Sequence, residues 1–270
     1  MDLKGFTCWL QARQLSPSTV KSYLSDLKYF LNVNITSESV HDYLMLISQN
    51  KKNSVCRKLV ALKHLFTFTS ELLPLPKVSQ ERSPLVTVAR EEVFLMLQTE
   101  NLKTQDSWRR IRNAYLLECL FGSGLRISEA CALETQHVSG KWIQVLGKNQ
   151  RFRSIPQTPI GQVLFSELNP QNKYIFTRKD GHPLAIRSCF KIIKSLVLRS
   201  QVDPGLSPHS LRRGFASELL NNGAPLRHIQ LLLGHCSLDT TSLYCLPEQA
   251  LIQEQFLRQH PLIKLAKRSR

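Results

Sequence analysis

The chain has 270 residues, and 42% of them are hydrophobic, which is enough to bury a core in one large domain or two modest ones. Lys and Arg number 36 against 20 Asp and Glu, and the formal net charge of +16 favours a polyanionic partner over the plainer alternative of a merely soluble basic protein. Global disorder is excluded by this composition, and no apolar run reaches the length of a membrane span.

The cysteines and the N-terminus indicate a cytoplasmic protein without a membrane partner. Seven cysteines are scattered with no C-x-x-C spacing, which is typical of reduced thiols. The first residues, MDLKGFTCWLQARQ, do not have the pattern of a secretory signal. His235, Cys236 and Cys245 form a weak candidate for a metal site, because no second ligand pair at zinc spacing accompanies them. We therefore expect neither a metal nor a cofactor.

The first 76 residues predict a small helical domain. Ser16 is an expected N-cap before Pro17, and the periodicity predicts one helix over 16–33. A second helix is expected after Thr36, and a third from about Ser54 to Leu72. The expected inward positions are Val20, Tyr23, Leu24, Leu27, Phe30 and Leu31, then Val40, Tyr43, Leu44 and Ile47, then Val55, Leu59, Leu62 and Phe66.

The third helix and its approach carry basic residues of a single sign. They are either a solvated face or a face that contacts phosphates, and the single sign favours phosphate contact. The residues are Lys51, Lys52, Arg57, Lys58 and Lys63. Three prolines, Pro74, Pro76 and Pro84, then predict an extended spacer, which we place at 77–87 as the linker between two domains.

Residues 88–270 predict a larger domain that is mainly helical with a small sheet. Helices are expected near Ala89–Glu100, Trp108–Phe121 and Ala185–Arg199, and a short one carries Arg126 and Glu129. Glu118 is the one charge inside an apolar run, and Gly122 and Gly124 end that run. The expected strands are Trp142–Leu146, Phe152–Pro156 and Tyr174–Phe176, the first two joined by a turn that holds Lys148.

The stretch from Ser207 to Pro247 concentrates the residues that suggest chemistry. Ser207 and Pro208 start a helix on which His209 and Arg212 share a face, with Leu211, Phe215 and Leu219 inward. Asn222 and Gly223 end that helix, and Pro225 starts another that buries Leu226, Ile229, Leu232 and Leu233. Gly234 ends it before His235, and a short helix from Ser237 to Thr241 leads to Tyr244.

These residue types suit the cleavage of a phosphodiester without metal. They are arginines, histidines, a lysine on a turn and a tyrosine. Guanidinium groups bind the non-bridging oxygens, and a tyrosine hydroxyl in their field can form a covalent ester. A lysine on a turn can give a proton to the departing sugar oxygen. The sequence shows no cluster of Asp and Glu for two Mg²⁺ ions, which disfavours metal-dependent nuclease chemistry.

Four segments of the sequence resemble the motifs of the tyrosine recombinase, or phage integrase, family, most closely the bacterial Xer recombinases. FGSGLRISEA resembles the first arginine motif, GKNQRFRSIP the β-hairpin motif GKG-x-K-x-R-x-x-P, and SPHSLRRGFASELL the H-x-x-R motif. LLGHCSLDTTSLY resembles the segment with the last histidine and the nucleophilic tyrosine. The catalytic residues that the resemblance implies are Arg126, Lys148, His209, Arg212, His235 and Tyr244.

The resemblance also implies a mechanism. Tyr244 would attack the scissile phosphate to give a 3′-phosphotyrosine, Arg126, Arg212 and His235 would hold the phosphate, Lys148 would protonate the leaving oxygen, and His209 would assist proton transfer at Tyr244. Strand exchange through a Holliday junction would then need neither ATP nor metal.

Fold and assembly are implied in the same way. Residues 1–76 would be a helical, SAM-like core-binding domain on DNA, and 88–270 an α+β catalytic domain whose residues 248–263 dock into a neighbouring subunit. The partners would be a double-stranded DNA target and a homo- or hetero-tetramer of recombinases. The outcome would be plasmid or chromosome multimer resolution, or integration and excision of an element.

Some positions depart from the family pattern and favour a divergent, plasmid- or element-borne member. Arg213 stands where these proteins usually have His, Asn149 replaces a glycine of the hairpin motif, and the acidic residue usual near Gln136 and His137 is absent. The Asn-Pro usual before the linker is also absent.

Each site residue taken alone has a structural alternative. Arg126 could pair with Glu129, Lys148 could be a turn lysine, His209 could pack, His235 could cap a helix and Tyr244 could lie in the core. Two other functions stay open as alternatives: relaxation of DNA in the manner of a type IB topoisomerase, and DNA binding without catalysis.

Overall fold

The computed structural model describes residues 2–76, 87–103, 106–147, 152–234, 253–254 and 256–261. The chain divides into two compact units, Met1–Pro84 and Leu85–Arg270. Residues 77–86, most of the expected linker, lie outside the described ranges. Within those ranges, no helix is both long and apolar enough to cross a membrane.

The N-terminal unit is helical, and its helices begin at the signals that the sequence contains. Ser16 caps the helix that Pro17 starts, and Thr36 caps the next one. Phe6, Leu10, Val20, Phe30 and Tyr43 are among the side chains of its core. The helices are α1 Leu3–Ala12, α2 Pro17–Asp26, α3 Ser37–Ser48 and α4 Lys52–Thr69, with a 3₁₀ turn at Lys28–Leu31.

Two expectations for this unit need correction, and one helix was missed. The single helix over 16–33 is wrong: α2 ends at Asp26 and a 3₁₀ turn follows, which still brings Leu27 and Phe30 into the core. The third helix ends at Thr69 rather than Leu72, because Ser70 takes the left-handed conformation that stops a helix. Helix α1 was not predicted at all, although Asp2 caps it.

One of the basic residues on α4 has an acidic partner. Arg57 makes a bidentate ion pair with Asp26, at 2.8 Å from Nε to Oδ2 and 2.9 Å from Nη2 to Oδ1. This pair ties α4 to the end of α2. Arg57 therefore has a structural partner within the N-terminal unit, which weakens the expectation that it contacts phosphate.

The C-terminal unit, Leu85–Arg270, packs helices against a small sheet, and the fold class predicted from the sequence is confirmed. Its helices are α5 Arg90–Lys103, α6 Ser107–Leu117, α7 Ile127–Cys131, α8 Pro159–Leu168, α9 Ile186–Arg199, α10 Pro208–Asn221 and α11 Leu226–Leu233. A π turn at Glu118–Gly122 extends α6, and Thr135–His137 is a 3₁₀ turn.

The antiparallel sheet has the order β1-β2-β3, with β1 Val138–Ser139, β2 Trp142–Leu146 and β3 Phe152–Pro156. The two long strands agree with the prediction. The third predicted strand, Tyr174–Phe176, is wrong: Tyr174 makes one isolated bridge with Glu134, and a single bridge does not extend the sheet.

Further differences concern the helices of this unit. The α-helical part of the Trp108–Phe121 segment stops at Leu117, because the π turn takes over there. Leu226, expected to be buried, is 59% exposed, since it begins α11 at the surface. Helix α8 was missed, although Thr158 caps it and Pro159 is its first residue.

Candidate active site

Arg126 stands at the entrance of α7, directly after the loop that the glycines form. Gly124 has φ of 63°, which favours glycine, and a Cβ there would collide with the ring of Phe215. The Arg126 N–H donates to Glu129 Oε2 at 2.8 Å, and Arg126 Nη1 donates to Glu129 Oε1 at 2.7 Å. The ion pair considered as a structural alternative for Arg126 is therefore present. The Arg126 side chain is nevertheless 43% exposed, so part of its guanidinium faces solvent.

Arg212 lies on α10 and is buried. Its Nη1 donates to the carbonyl of Gly124 and its Nη2 to the carbonyl of Leu233, both at 2.6 Å. A weaker contact of 3.4 Å joins Nη1 to Glu129 Oε2. Burial lowers the pKa of Arg212 to about 10, with the charge of Arg126 adding to the shift, so the group stays protonated at neutral pH.

Glu129 is the carboxylate on which the arginines converge. Arg153 of β3 reaches it with Nη1 at 3.1 Å from Oε1 and with Nη2 at 2.8 Å from Oε2. Burial alone would raise the pKa of Glu129, but the hydrogen bonds and charge of Arg153 and Arg126 outweigh it and leave the pKa below its usual value. Glu129 is therefore ionised and balances part of the positive charge of this cluster.

His209 is the second residue of α10, directly after Pro208, and is exposed. Its partial desolvation, together with the charges of Arg213, Arg212 and Arg126, lowers its pKa below 6.5. The imidazole is thus neutral at pH 7. His209 and Arg212 were expected on one face; they do interact electrostatically, but Arg212 points into the core while His209 faces solvent.

The remaining predicted site residues, Lys148, His235 and Tyr244, lie outside the described residues. Their flanking elements are described: Gly147 follows β2, β3 begins at Phe152, and Gly234 ends α11. Among the described side chains, no group of three His, Cys, Asp or Glu residues is placed to hold a metal ion.

Residues 87–249 match the family model described as the phage integrase family, which covers more than half of the chain. The chain belongs to this family of tyrosine recombinases. A tyrosine recombinase XerD of Chlamydia pneumoniae is 30% identical over 96% of this chain and 95% of its own length. The chain is thus an Xer-like tyrosine site-specific recombinase.

Solved structures show the same fold. An XerH site-specific recombinase bound to its difH substrate, in a pre-cleavage complex, has a TM-score of 0.66 at 19% identity and covers 91% of this chain and 80% of that one. A lambda integrase tetramer bound to a Holliday junction has a TM-score of 0.63 at 16% identity, covering 88% of this chain and 77% of that one.

Sequence reasoning missed two features of this recombinase. Arg153 was quoted only as part of the hairpin motif, and no local signal connects it with Glu129 or α11. Glu118 was noticed as a lone charge, but not as a group that the fold encloses: it is 2% exposed and accepts a hydrogen bond from the Thr158 hydroxyl. A charged residue inside an apolar run was the signal available for it.

The C-terminal unit, Leu85–Arg270, contains the residues that match the family model, and we call it the catalytic unit. The described residues after 252 pack onto this same unit. Phe256 and His260 are buried, their rings contact each other and Phe215, and a hydrogen bond of 2.8 Å joins His260 Nε2 to the Gly122 carbonyl. Burial lowers the pKa of His260 to about 3, so it is neutral. These two residues belong to the segment 248–263 that was expected to dock into a neighbouring subunit.

Proposed function

We propose that this chain cuts and rejoins DNA at a specific site through a covalent 3′-phosphotyrosine at Tyr244. The observation that carries the proposal is the gathering of Arg126 and Arg212, far apart in sequence, around Glu129 beside a neutral His209. Such an arrangement suits a dianionic pentacoordinate phosphate, because guanidinium groups stabilise its charge without metal.

Arg126 and Arg212 would bind the phosphate in different ways. Arg126, partly exposed, keeps donors beyond the one committed to Glu129, since a guanidinium has five N–H groups. Arg212 is fixed by two backbone carbonyls and Glu129, so its guanidinium is held in place before DNA arrives. Preorganised donors stabilise developing charge without reorganising during the reaction.

The proton and bond changes balance without an added reactant. The Tyr244 oxygen forms a bond to phosphorus while the bond from phosphorus to the 5′ oxygen breaks, and neutral His209 accepts the tyrosine proton. Lys148 gives a proton to the departing 5′ oxygen, and His235 assists in holding the phosphate. A 5′-hydroxyl of the partner strand reverses the step, which conserves the ester bond and requires no ATP.

Assembly as a tetramer on two DNA sites, through a Holliday junction, is part of the proposal. It is supported by the family and by the shared fold with the lambda integrase tetramer on such a junction. Residues 1–76 would then bind DNA as a core-binding domain, and residues 248–263 would leave their own catalytic unit to dock into a neighbour.

The experiment uses sheared chromosomal and plasmid DNA from the source cell as the probe. Covalent protein–DNA adducts are captured under denaturing conditions and sequenced for wild type and for Tyr244→Phe. We expect wild type to yield adducts at one sequence, and Tyr244→Phe to bind the same DNA without forming any. DNA binding without adducts in wild type would contradict the proposal, as would relaxation of supercoiled plasmids that lack the captured site.

A further inference from the structure

The C-terminus of α11 is held by two arginines from other segments. Arg153 Nε donates to the carbonyl of Leu232 at 3.0 Å, and Arg212 Nη2 donates to the carbonyl of Leu233. The last carbonyls of a helix have no partner within it and carry the negative end of the helix dipole. Two guanidinium groups therefore cap this helix end just before His235.

The other side of the Arg153 guanidinium is fixed as well. The guanidinium donates hydrogen bonds to both carboxylate oxygens of Glu129, and the side chains of Arg153 and Glu129 are each only 9% exposed. A bidentate pair of this kind fixes orientation as well as distance. One buried group thus joins β3, which follows the hairpin turn, to α7, which follows Arg126, and to the end of α11.

The chain leaves α11 in close contact with Arg153. Gly234 has φ of 64°, and a Cβ on it would lie 3.0 Å from Arg153 Nη1 and 3.1 Å from its Cδ. The backbone before His235 therefore passes directly against this guanidinium. A shift of Arg153 would move the point from which the segment with His235 and Tyr244 departs.

We propose that Arg153 is a positioning residue for strand cleavage. It acts through Glu129 and Leu232, setting the direction in which the chain leaves α11 and the distance between β3 and α7. This inference rests on the proposed function, because it concerns the rate at which Tyr244 attacks.

The role requires the shape of arginine. Lysine keeps the charge but has one nitrogen, which cannot meet both oxygens of Glu129 and the Leu232 carbonyl together. Arg153→Lys therefore separates a general need for positive charge from the need for this three-way contact.

A matched control makes the same Arg-to-Lys change in another ion pair of the catalytic unit. Arg199 on α9 pairs with Glu100, which is fully buried, and neither residue contacts α11 through this pair. Arg199→Lys perturbs the unit in a comparable way and leaves the end of α11 alone.

The experiment compares wild type, Arg153→Lys, Arg153→Ala and Arg199→Lys on a nicked duplex that carries the captured site. Single-turnover adduct formation, non-covalent DNA binding and thermal unfolding are measured for each. We expect Arg153→Lys to lower the rate about 100-fold, as small misplacements of reacting groups do, with DNA affinity unchanged. Arg199→Lys should keep the wild-type rate, and added guanidinium ion should raise the rate of Arg153→Ala.

A wild-type rate in Arg153→Lys would overturn the inference, and so would an equal loss in Arg153→Lys and Arg199→Lys that follows their loss of stability. In either case an active wild type leaves the proposed function standing. If wild type itself forms no adduct, the proposed function fails and the inference fails with it.

Discussion

The two units of the molecule differ in what they bury. In the described part of the N-terminal unit, the core is aliphatic and aromatic, and Ser39 is its buried polar residue. The catalytic unit encloses ionisable groups across its fold, namely Glu100, Arg112, Glu118, Arg153, Arg212 and His260.

This difference shows that the units are stabilised in different ways. Apolar burial is non-directional and does not depend on charged partners. The loss of one surface charge therefore changes the stability of the N-terminal unit little. A buried charge is tolerated only when its partners are present, so a single deletion in the catalytic unit leaves an uncompensated charge. The catalytic unit thus depends on complete polar clusters, and these clusters also place Arg126 and Arg212.

The largest effect is expected for Glu129→Ala. It would leave Arg126, Arg153 and Arg212 without their shared carboxylate, and breaking a buried ion pair costs about 3–5 kcal/mol. Urea unfolding of the catalytic unit measures the loss.

Arg57→Ala is the matched deletion in the N-terminal unit. Arg57 is half exposed, but the Asp26 side chain is only 7% exposed, so the variant leaves one enclosed carboxylate without its partner, at an expected cost of about 1–3 kcal/mol. Equal losses for the two variants would show that the units are not stabilised differently.

An effect that depends on pH is expected for Glu118, and it is smaller than that of Glu129→Ala. Burial raises its pKa to about 7, although the Thr158 hydroxyl lowers it in part. Since the folded state holds this proton more tightly than the unfolded chain, Glu118 removes stability as the pH rises from about 4.5 to 7, by about 3 kcal/mol in all. The Gln side chain of Glu118→Gln cannot ionise, so over that range the free energy of unfolding in urea should rise for this variant relative to wild type. A stability difference that does not change with pH would contradict this assignment.

An effect of the opposite sign, smaller than that of Glu118, is expected for His260. Its pKa is about 3 in the fold, so the unfolded chain binds the proton first and stability is lost as the pH falls below 6.5. Between pH 6.5 and 5 the expected loss is about 2 kcal/mol, and His260→Phe should lack it. Limited proteolysis after residue 234 gives a second measurement, since release of the buried Phe256 and His260 would expose that end. Parallel pH profiles for wild type and His260→Phe would refute the assignment.

What the sequence predicts well is local. Ser16 and Ser207 cap helices where expected, and a helix begins after Thr36 as expected, because an N-cap acts within one turn. The β2 and β3 bounds follow from alternation and the turn between them. The π turn after Leu117 and the brevity of β1 depend on packing around them, and no local pattern shows either.

The candidate site divides in the same way. Arg126, His209 and Arg212 are found from motifs, because each motif is continuous in sequence. That Arg212 is held by Gly124 and Leu233, and Arg153 by Leu232, depends on contacts between segments distant in the chain. Only the folded structure brings these groups together.

The most direct test of this account is to identify the residue that carries DNA. Wild-type protein is trapped on the nicked duplex, digested with protease and nuclease, and the peptide bearing a nucleotide is sequenced by mass spectrometry. The account predicts a single modified peptide with a 3′-phosphonucleotide on Tyr244. Attachment to any other residue, or through a 5′-phosphate, would contradict it.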